Sequence, residues 1–119
     1  MADSRTIFVT SKSLGLEPSA VTIAGVEWNL STNVVKLSFT GPLQAGSFTS
    51  GKVRISKGAT TFNCGATSWA AGATEIETSM GAAEPVGDGW LCASNGPTIV
   101  GQNGVAVPAW SGVAVGFVS

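Results

Sequence analysis

What most constrains this chain is the two-residue alternation of apolar and polar side chains across residues 33–57. In NVVKLSFTGPLQAGSFTSGKVRISK, Val35, Leu37 and Phe39 share one parity, and Lys36 and Ser38 the other. Further on, Val53 and Ile55 oppose Lys52, Arg54 and Ser56. Successive side chains of an extended strand leave opposite faces, so this pattern specifies half-buried strands rather than a helix. Residues 41–51 separate the two runs, with glycine at both ends and one inside. Hairpin loops usually take roughly two to five residues, so this connection reads as a projecting loop between paired strands. Leu43 and Phe48 stand out as apolar residues on it. The expectation is that both are exposed in the free protein and covered by a neighbouring chain in an assembly.

The remaining segments carry the same strand-and-turn character. Residues 5–10 (RTIFVT) read as a short strand and residues 11–19 as a loop. In residues 20–30, Val21 and Ile23 share a face, as do Val26 and Trp28, with Ala24-Gly25 between them as a bulge or tight turn. Ser31-Thr32-Asn33 signals a turn. Gly-Ala-Thr recurs from Gly58, Gly65 and Gly72, each copy followed two residues on by Phe62, Trp69 or Ile76. Three such copies are too short for a solenoid. Residues 67–80 admit two readings. Trp69, Ala73, Ile76 and Met80 fit one face of a short helix, whereas Thr74–Thr78 alternates as a strand. Residues 81–89 read as loop, residues 90–92 as a short strand, and Asn95-Gly96-Pro97 and residues 101–104 as turns. In residues 112–118, Val113, Val115 and Phe117 alternate with Gly112, Ala114 and Gly116, leaving one face nearly bare, as if another sheet, chain or backbone lies against it. These spacings give one domain, residues 1–119, of the all-β class. It is an antiparallel β-sandwich or a jelly-roll or barrel-like domain of about 8–10 short strands, with at most one short helix. The immunoglobulin signature is missing, since Trp69 follows Cys64 too closely.

The chemistry available is limited. There is no histidine and no tyrosine, so neither a Ser-His-Asp nor a Cys-His arrangement can be built within the chain. Glu75 and Glu77 would share a strand face and form a carboxylate pair, but they read more simply as a solvated face. Glu84 and Asp88 in a Pro/Gly loop offer too few oxygens for a hard cation. Cys64 and Cys92 are the only cysteines and read as buried free thiols; without histidine they cannot complete a four-ligand zinc site. Lys52, Arg54 and Lys36 form a small basic stripe, but six Lys and Arg against seven acids do not make a nucleic-acid binder. No stretch approaches the roughly 20 apolar residues of a membrane span, and the N-terminus lacks the apolar core of a secretory signal. The expectation is therefore a protein without enzymatic activity, cofactor, metal, nucleic-acid partner or membrane partner.

Charged residues make up 11% of the chain against about 25% in a typical soluble domain, so its surface must be neutral and polar or covered by other chains. Low charge, a β-rich Gly/Ala/Ser/Thr/Val composition, the lack of catalytic groups and a start without a signal resemble the small capsid decoration (cement) proteins of tailed phages. The resemblance is one of general character across the chain and carries over no residues. It implies location in the virion and a homo-oligomer such as a trimer. Such an oligomer would hold capsid subunits together through apolar surface and strand edges. A different class of function is a carbohydrate-binding β-sandwich, a lectin or phage adhesin. Trp69 or Trp110, each beside small residues and turns, would be its stacking platform. Trp28 and Trp90, within apolar segments, are expected in the core. The residues expected to meet a partner are Leu43, Phe48, Trp69 and Trp110.

Overall fold

The computed structural model describes residues 20–81, 84–96 and 98–119. The strand and loop expected over residues 5–19 lie outside the described residues. Nine strands are present and no helix is found among the described residues: β1 (Ile23–Asn29), β2 (Val34–Phe39), β3 (Gly46–Phe48), β4 (Val53–Lys57), β5 (Thr60–Asn63), β6 (Thr67–Trp69), β7 (Glu75–Ser79), β8 (Leu91–Ser94) and β9 (Val113–Val118). Seven of them form one curled sheet, a half-barrel, in the order β5-β4-β8-β9-β1-β2-β7. The other two, β3 and β6, form a small antiparallel sheet of their own. The all-β, barrel-like expectation holds.

One pairing departs from the expected antiparallel sheet. β9 runs parallel to β1, with Val115 opposite Val26 and Phe117 opposite Trp28. On its other edge β9 is antiparallel to β8, with Val113 opposite Cys92 and Ala114 opposite Leu91. Alternation fixes which face each residue takes but not which strand lies beside it, and β1 lies at the other end of the described sequence from β9.

The inner face of the half-barrel collects the alternate residues of the strands. Val26, Trp28, Val35, Leu37, Phe39, Val53, Ile55, Cys64, Ile76, Cys92 and Val115 are all buried. Trp28 sits edge-on to Phe62 with ring centroids 5.8 Å apart, and Phe62 stacks on Trp90 at 5.2 Å. Such pairs add modestly to the area they bury. The Trp28 indole N–H donates to Asn33 Oδ1 at 2.8 Å, which satisfies a polar group otherwise lost in the core. Asn33 holds φ at 58° in the β1–β2 turn, a backbone region that Asn tolerates better than other non-glycine residues. Its side-chain amide also donates to the Gly81 carbonyl, tying that turn to the end of β7. The Ala24-Gly25 step is a bulge, where the β1–β2 register shifts between Ile23 and Gly25.

The two edges of the large sheet meet just past β5. The Cys64 amide donates to the Val53 carbonyl at 2.9 Å, extending the β4 pairing by one step. The Gly65 amide then donates to the Ser79 carbonyl of β7 at 3.1 Å. In return the Thr78 hydroxyl, buried in the same seam, donates to the Gly65 carbonyl at 2.6 Å. A pair of hydrogen bonds at Gly65 thus bridges the open side of the curl.

Residues 41–51 do not project. Leu43 has no exposed surface, and its amide and carbonyl bond to Ala73 and Gly72 at 2.8 Å each. Gln44 donates to Val100, Gln102 donates to Pro42, and β3 pairs with β6 through Phe48 and Thr67. A long connection carrying two large apolar residues lowers its free energy by burying them and pairing its backbone. The two alternating runs are likewise not a hairpin, because β8, β9 and β1 lie between β4 and β2. Lys36 is therefore remote from Lys52 and Arg54, and the expected basic stripe does not exist as one patch. Residues 67–80 resolve as β6, a turn at Gly72 (φ 90°) and β7. Ile76 and Thr78 point inward and Glu75 and Glu77 outward, the strand reading of this stretch. The Gly-Ala-Thr copies are not equivalent in space: Gly58 and Gly72 sit at positive φ in turns, and Gly65 lies in the seam.

Candidate functional site: the outer face of the sheet

Of the four residues expected at a partner contact, three are inside the chain. Leu43 is fully buried, Phe48 is buried and Trp110 is 8% exposed. The expectation that Leu43 and Phe48 are free for a neighbour is corrected, since the core of this chain already takes them. Trp110 packs edge-on to Phe39 at 5.9 Å, and its indole N–H reaches Cys92 Sγ at 3.5 Å. It therefore offers no open ring face for stacking. Trp69 is half-buried, lying against Phe48 and over Gly46, with its N–H donated to the Gln44 carbonyl at 2.7 Å. Trp28 and Trp90 are buried, as expected of core tryptophans.

Cys64 and Cys92 are free and buried in the barrel. Burial, and after it the neighbouring Cys92, pushes the Cys64 thiol up to about 12. Burial likewise pushes Cys92 up to about 11, against the lowering effect of its bond from Trp110. Thiols held this firmly protonated are poor nucleophiles and poor metal ligands. No group of three or more His, Cys, Asp or Glu able to hold a metal occurs among the described residues.

The chemically distinctive surface is instead the outer face of the seven-stranded sheet, built from residues of opposite parity to the core. At its centre β9 presents Ala114, Gly116 and Val118, and β8 presents Leu91 and Ala93. Leu91 is 44% exposed and Val118 38% exposed, two of the four large hydrophobics that remain in water among the described residues. Leu30, 45% exposed, donates its amide to the Val118 carbonyl at the end of the sheet. Ala114 and Gly116 are exposed, so no part of the described chain covers the bare face of β9. The alternation of residues 112–118 already marked that bareness. Leu91 could have been found in the same way, because placing Trp90 and Cys92 inward leaves it outward.

Charge flanks the strip on both sides, and the signs differ. Toward β7, Gly116 lies opposite Glu27, Glu27 opposite Lys36, and Lys36 opposite Glu77. Glu75 follows on the same face, with Lys36 Nζ 3.9 Å from its carboxylate. That flank carries three carboxylates and one ammonium. Toward β5, Ala93 lies opposite Arg54, with Lys52 exposed on the same side just before β4. That flank is basic. The sheet thus places Glu75 and Glu77 on the opposite side of the bare strip from Arg54.

Two of the wider clefts are lined by aromatic and charged side chains together. One, of about 450 Å³, is lined by Trp69, Thr67, Ser68, Ala73, Glu75 and Glu77. It brings Trp69 beside the two carboxylates, a juxtaposition that strand-by-strand reading of the sequence does not give. The other, of about 420 Å³, lies at one end of the barrel between Lys57, Phe62, Glu84, Val86 and Trp90. Glu84 and Asp88 are both exposed. No protein-family model, curated protein or solved structure matches this chain.

Proposed function

We propose that this protein is a non-enzymatic structural subunit of a virion, a decoration protein that stabilises contacts between capsid subunits. The observation that carries this reading is the outer sheet face, where Leu91 and Val118 stand exposed beside a β9 surface of Ala114 and Gly116 that nothing in the described chain covers. Contiguous apolar surface on a small domain marks contact with another macromolecule. A strand surface without long side chains lets a neighbouring backbone approach closely. Binding of this kind needs no reactive group, in keeping with thiols that burial holds protonated. The test is quantitative mass spectrometry of purified particles carrying this chain. Copies in fixed proportion to the major capsid subunit, with loss of the chain from particles in Leu91→Glu, are the expected result. A chain that is absent from washed particles refutes the reading.

A second reading, saccharide binding, draws on the cleft where half-buried Trp69 meets Glu75 and Glu77. A tryptophan face with carboxylate acceptors beside it suits stacking on a sugar ring and bonding to its hydroxyls. Binding on a glycan array that disappears in Glu75→Gln/Glu77→Gln, with melting unchanged, supports it; an empty array removes it.

A further inference from the structure

We propose that Asn95 is a self-modification site, at which the folded chain converts its own asparagine to aspartate and isoaspartate. An asparagine followed by glycine is prone to this reaction, because glycine has no Cβ to hold its backbone nitrogen away from the preceding side chain. The sequence contains the pair twice, at Asn95-Gly96 and at Asn103-Gly104. All four residues are exposed, so exposure does not choose between them. Hydrogen bonding does. At Asn103 both reacting groups are engaged. The Gly104 amide, which would be the nucleophile, donates to the Gly101 carbonyl at 2.8 Å. Asn103 Oδ1 accepts from the Val105 amide at 3.1 Å, which fixes the side chain in a turn. At Asn95 the nucleophile is free. The Asn95 amide donates to the Lys52 carbonyl at 2.6 Å, carrying the β4–β8 ladder one residue past Ser94. The ladder ends there, and the Gly96 amide donates to nothing among the described residues. Asn95 Nδ2 reaches the Gly51 carbonyl only at 3.4 Å, beyond the ordinary range of such bonds. The main chain is thus anchored as far as Asn95, while its side chain and the Gly96 nitrogen are left to close on each other.

The step needs only base and water. The Gly96 nitrogen gives its proton to hydroxide and attacks Asn95 Cγ. A bond forms between that nitrogen and Cγ, the Cγ–Nδ2 bond breaks, and Nδ2 leaves as ammonia with a proton from water. The product is a five-membered succinimide. Water then opens the ring at one of its two carbonyls. Cleavage between Cγ and the ring nitrogen gives aspartate. Cleavage between the main-chain carbonyl carbon and the ring nitrogen gives isoaspartate, in which the chain runs through Cβ and Cγ. Either product carries one new negative charge on a chain whose net charge is −1. The carboxylate also replaces the amide that faced the Gly51 carbonyl, beside Lys52. Asp88-Gly89 is able to form the same ring, but its isomerisation leaves mass and charge unchanged and so does not imitate the reaction at Asn95.

Incubation of the full chain in mildly alkaline buffer tests this, with samples separated by ion exchange and mapped by peptide mass after digestion in mild acid. The expected result is a growing acidic species and released ammonia, with the change located at Asn95. Reaction at Asn103 must first break the bonds that hold Gly104 and Asn103, and the net worth of one such bond already slows a step by up to roughly tenfold. With two bonds to break, Asn103 should react at least ~10-fold more slowly than Asn95 in the folded chain. In guanidinium chloride the two rates should converge, because the bonds that separate them are gone. Asn95→Gln should leave only the slow reaction at Asn103, since a glutamine side chain has to close a larger ring. An Asn95 that stays intact while Asn103 reacts, equal rates in the folded chain, or a tenfold difference that persists in denaturant overturns the proposal.

Discussion

Replacing Gly65 with alanine should open the seam that joins the two edges of the sheet. A Cβ built on Gly65 lies 2.7 Å from the Ser79 carbonyl oxygen, and real Cβ atoms essentially never come within 3.0 Å of another atom. The obstacle is backbone within β7, so no side-chain rotation relieves it. The strands must part by about 0.3 Å or more, which carries the Gly65–Ser79 hydrogen bond from 3.1 Å past the usual limit of about 3.2 Å. Losing one such bond costs about 1 kcal/mol, and forcing an extra methyl into packed structure costs about 1–3 kcal/mol. The sum is ~2–4 kcal/mol. With an unfolding entropy of roughly 2.1 cal/mol/K per residue, a chain of this length loses about 4 °C of Tm per kcal/mol, so the expected drop is ~8–16 °C. Urea and thermal unfolding, followed by tryptophan fluorescence, read it directly. Gly25→Ala is the control, since a Cβ at that position meets nothing within 4 Å, and it should remain within about 0.5 kcal/mol of wild type. If Gly65→Ala melts with Gly25→Ala, the seam is not closed as described and the steric reasoning is wrong.

Three further outcomes follow from the same interior. Thr78→Val keeps the shape but removes the donor to the Gly65 carbonyl; it should cost about 1–3 kcal/mol in urea unfolding, whereas Thr78→Ser should recover most of that. Leu43→Ala should cost about 2–5 kcal/mol, the loss expected for a core leucine, whereas a change within about 0.5 kcal/mol would return Leu43 to the surface. The two thiols should resist a water-soluble maleimide at pH 8 until the chain is unfolded. Because their folded values of about 12 and about 11 lie above the ordinary thiol value of 9.0, the stability they contribute is intact below about pH 9. It is lost as pH rises through about 11 and 12. The difference in unfolding midpoint between wild type and Cys64→Val/Cys92→Val should therefore be constant over pH 6–8 and change only above about pH 9, and a difference that varies within pH 6–8 would contradict the burial.

The strands and their facing were legible because alternation is local. Val35, Leu37 and Phe39, or Val53 and Ile55, have no other way to reach a core from an extended backbone. Neighbour choice was not legible, because it depends on which distant segments share a register, and β9 beside β1 left no trace in either sequence. The fate of residues 41–51 was misread for a related reason. Leu43 and Phe48 looked stranded among polar residues, yet each found a partner far along the chain, at Ala73 and at Trp69. The bare side of residues 112–118 was legible as an anomaly, but only the sheet order shows charges of opposite sign on its two sides. Trp69 meeting Glu75 and Glu77 was hidden because a turn, not a strand face, brings them together.

The parallel pairing of β9 with β1 also bears on how the protein comes to be folded. Remove β9 and no strand pairing joins β1-β2-β7 to β5-β4-β8, which are then linked only by the hydrogen bonds at Gly65. The keystone between them is the last of the described strands to emerge during synthesis. Until it arrives, each piece exposes an edge that β9 will occupy, Val26–Asn29 on one and Leu91–Cys92 on the other. Both edges can pair with the wrong chain in the interval. Folding should therefore be slow and late, with a rate-limiting step that depends on residues 113–118. Concentrated refolding should lose material to aggregation most readily in variants that weaken this one strand.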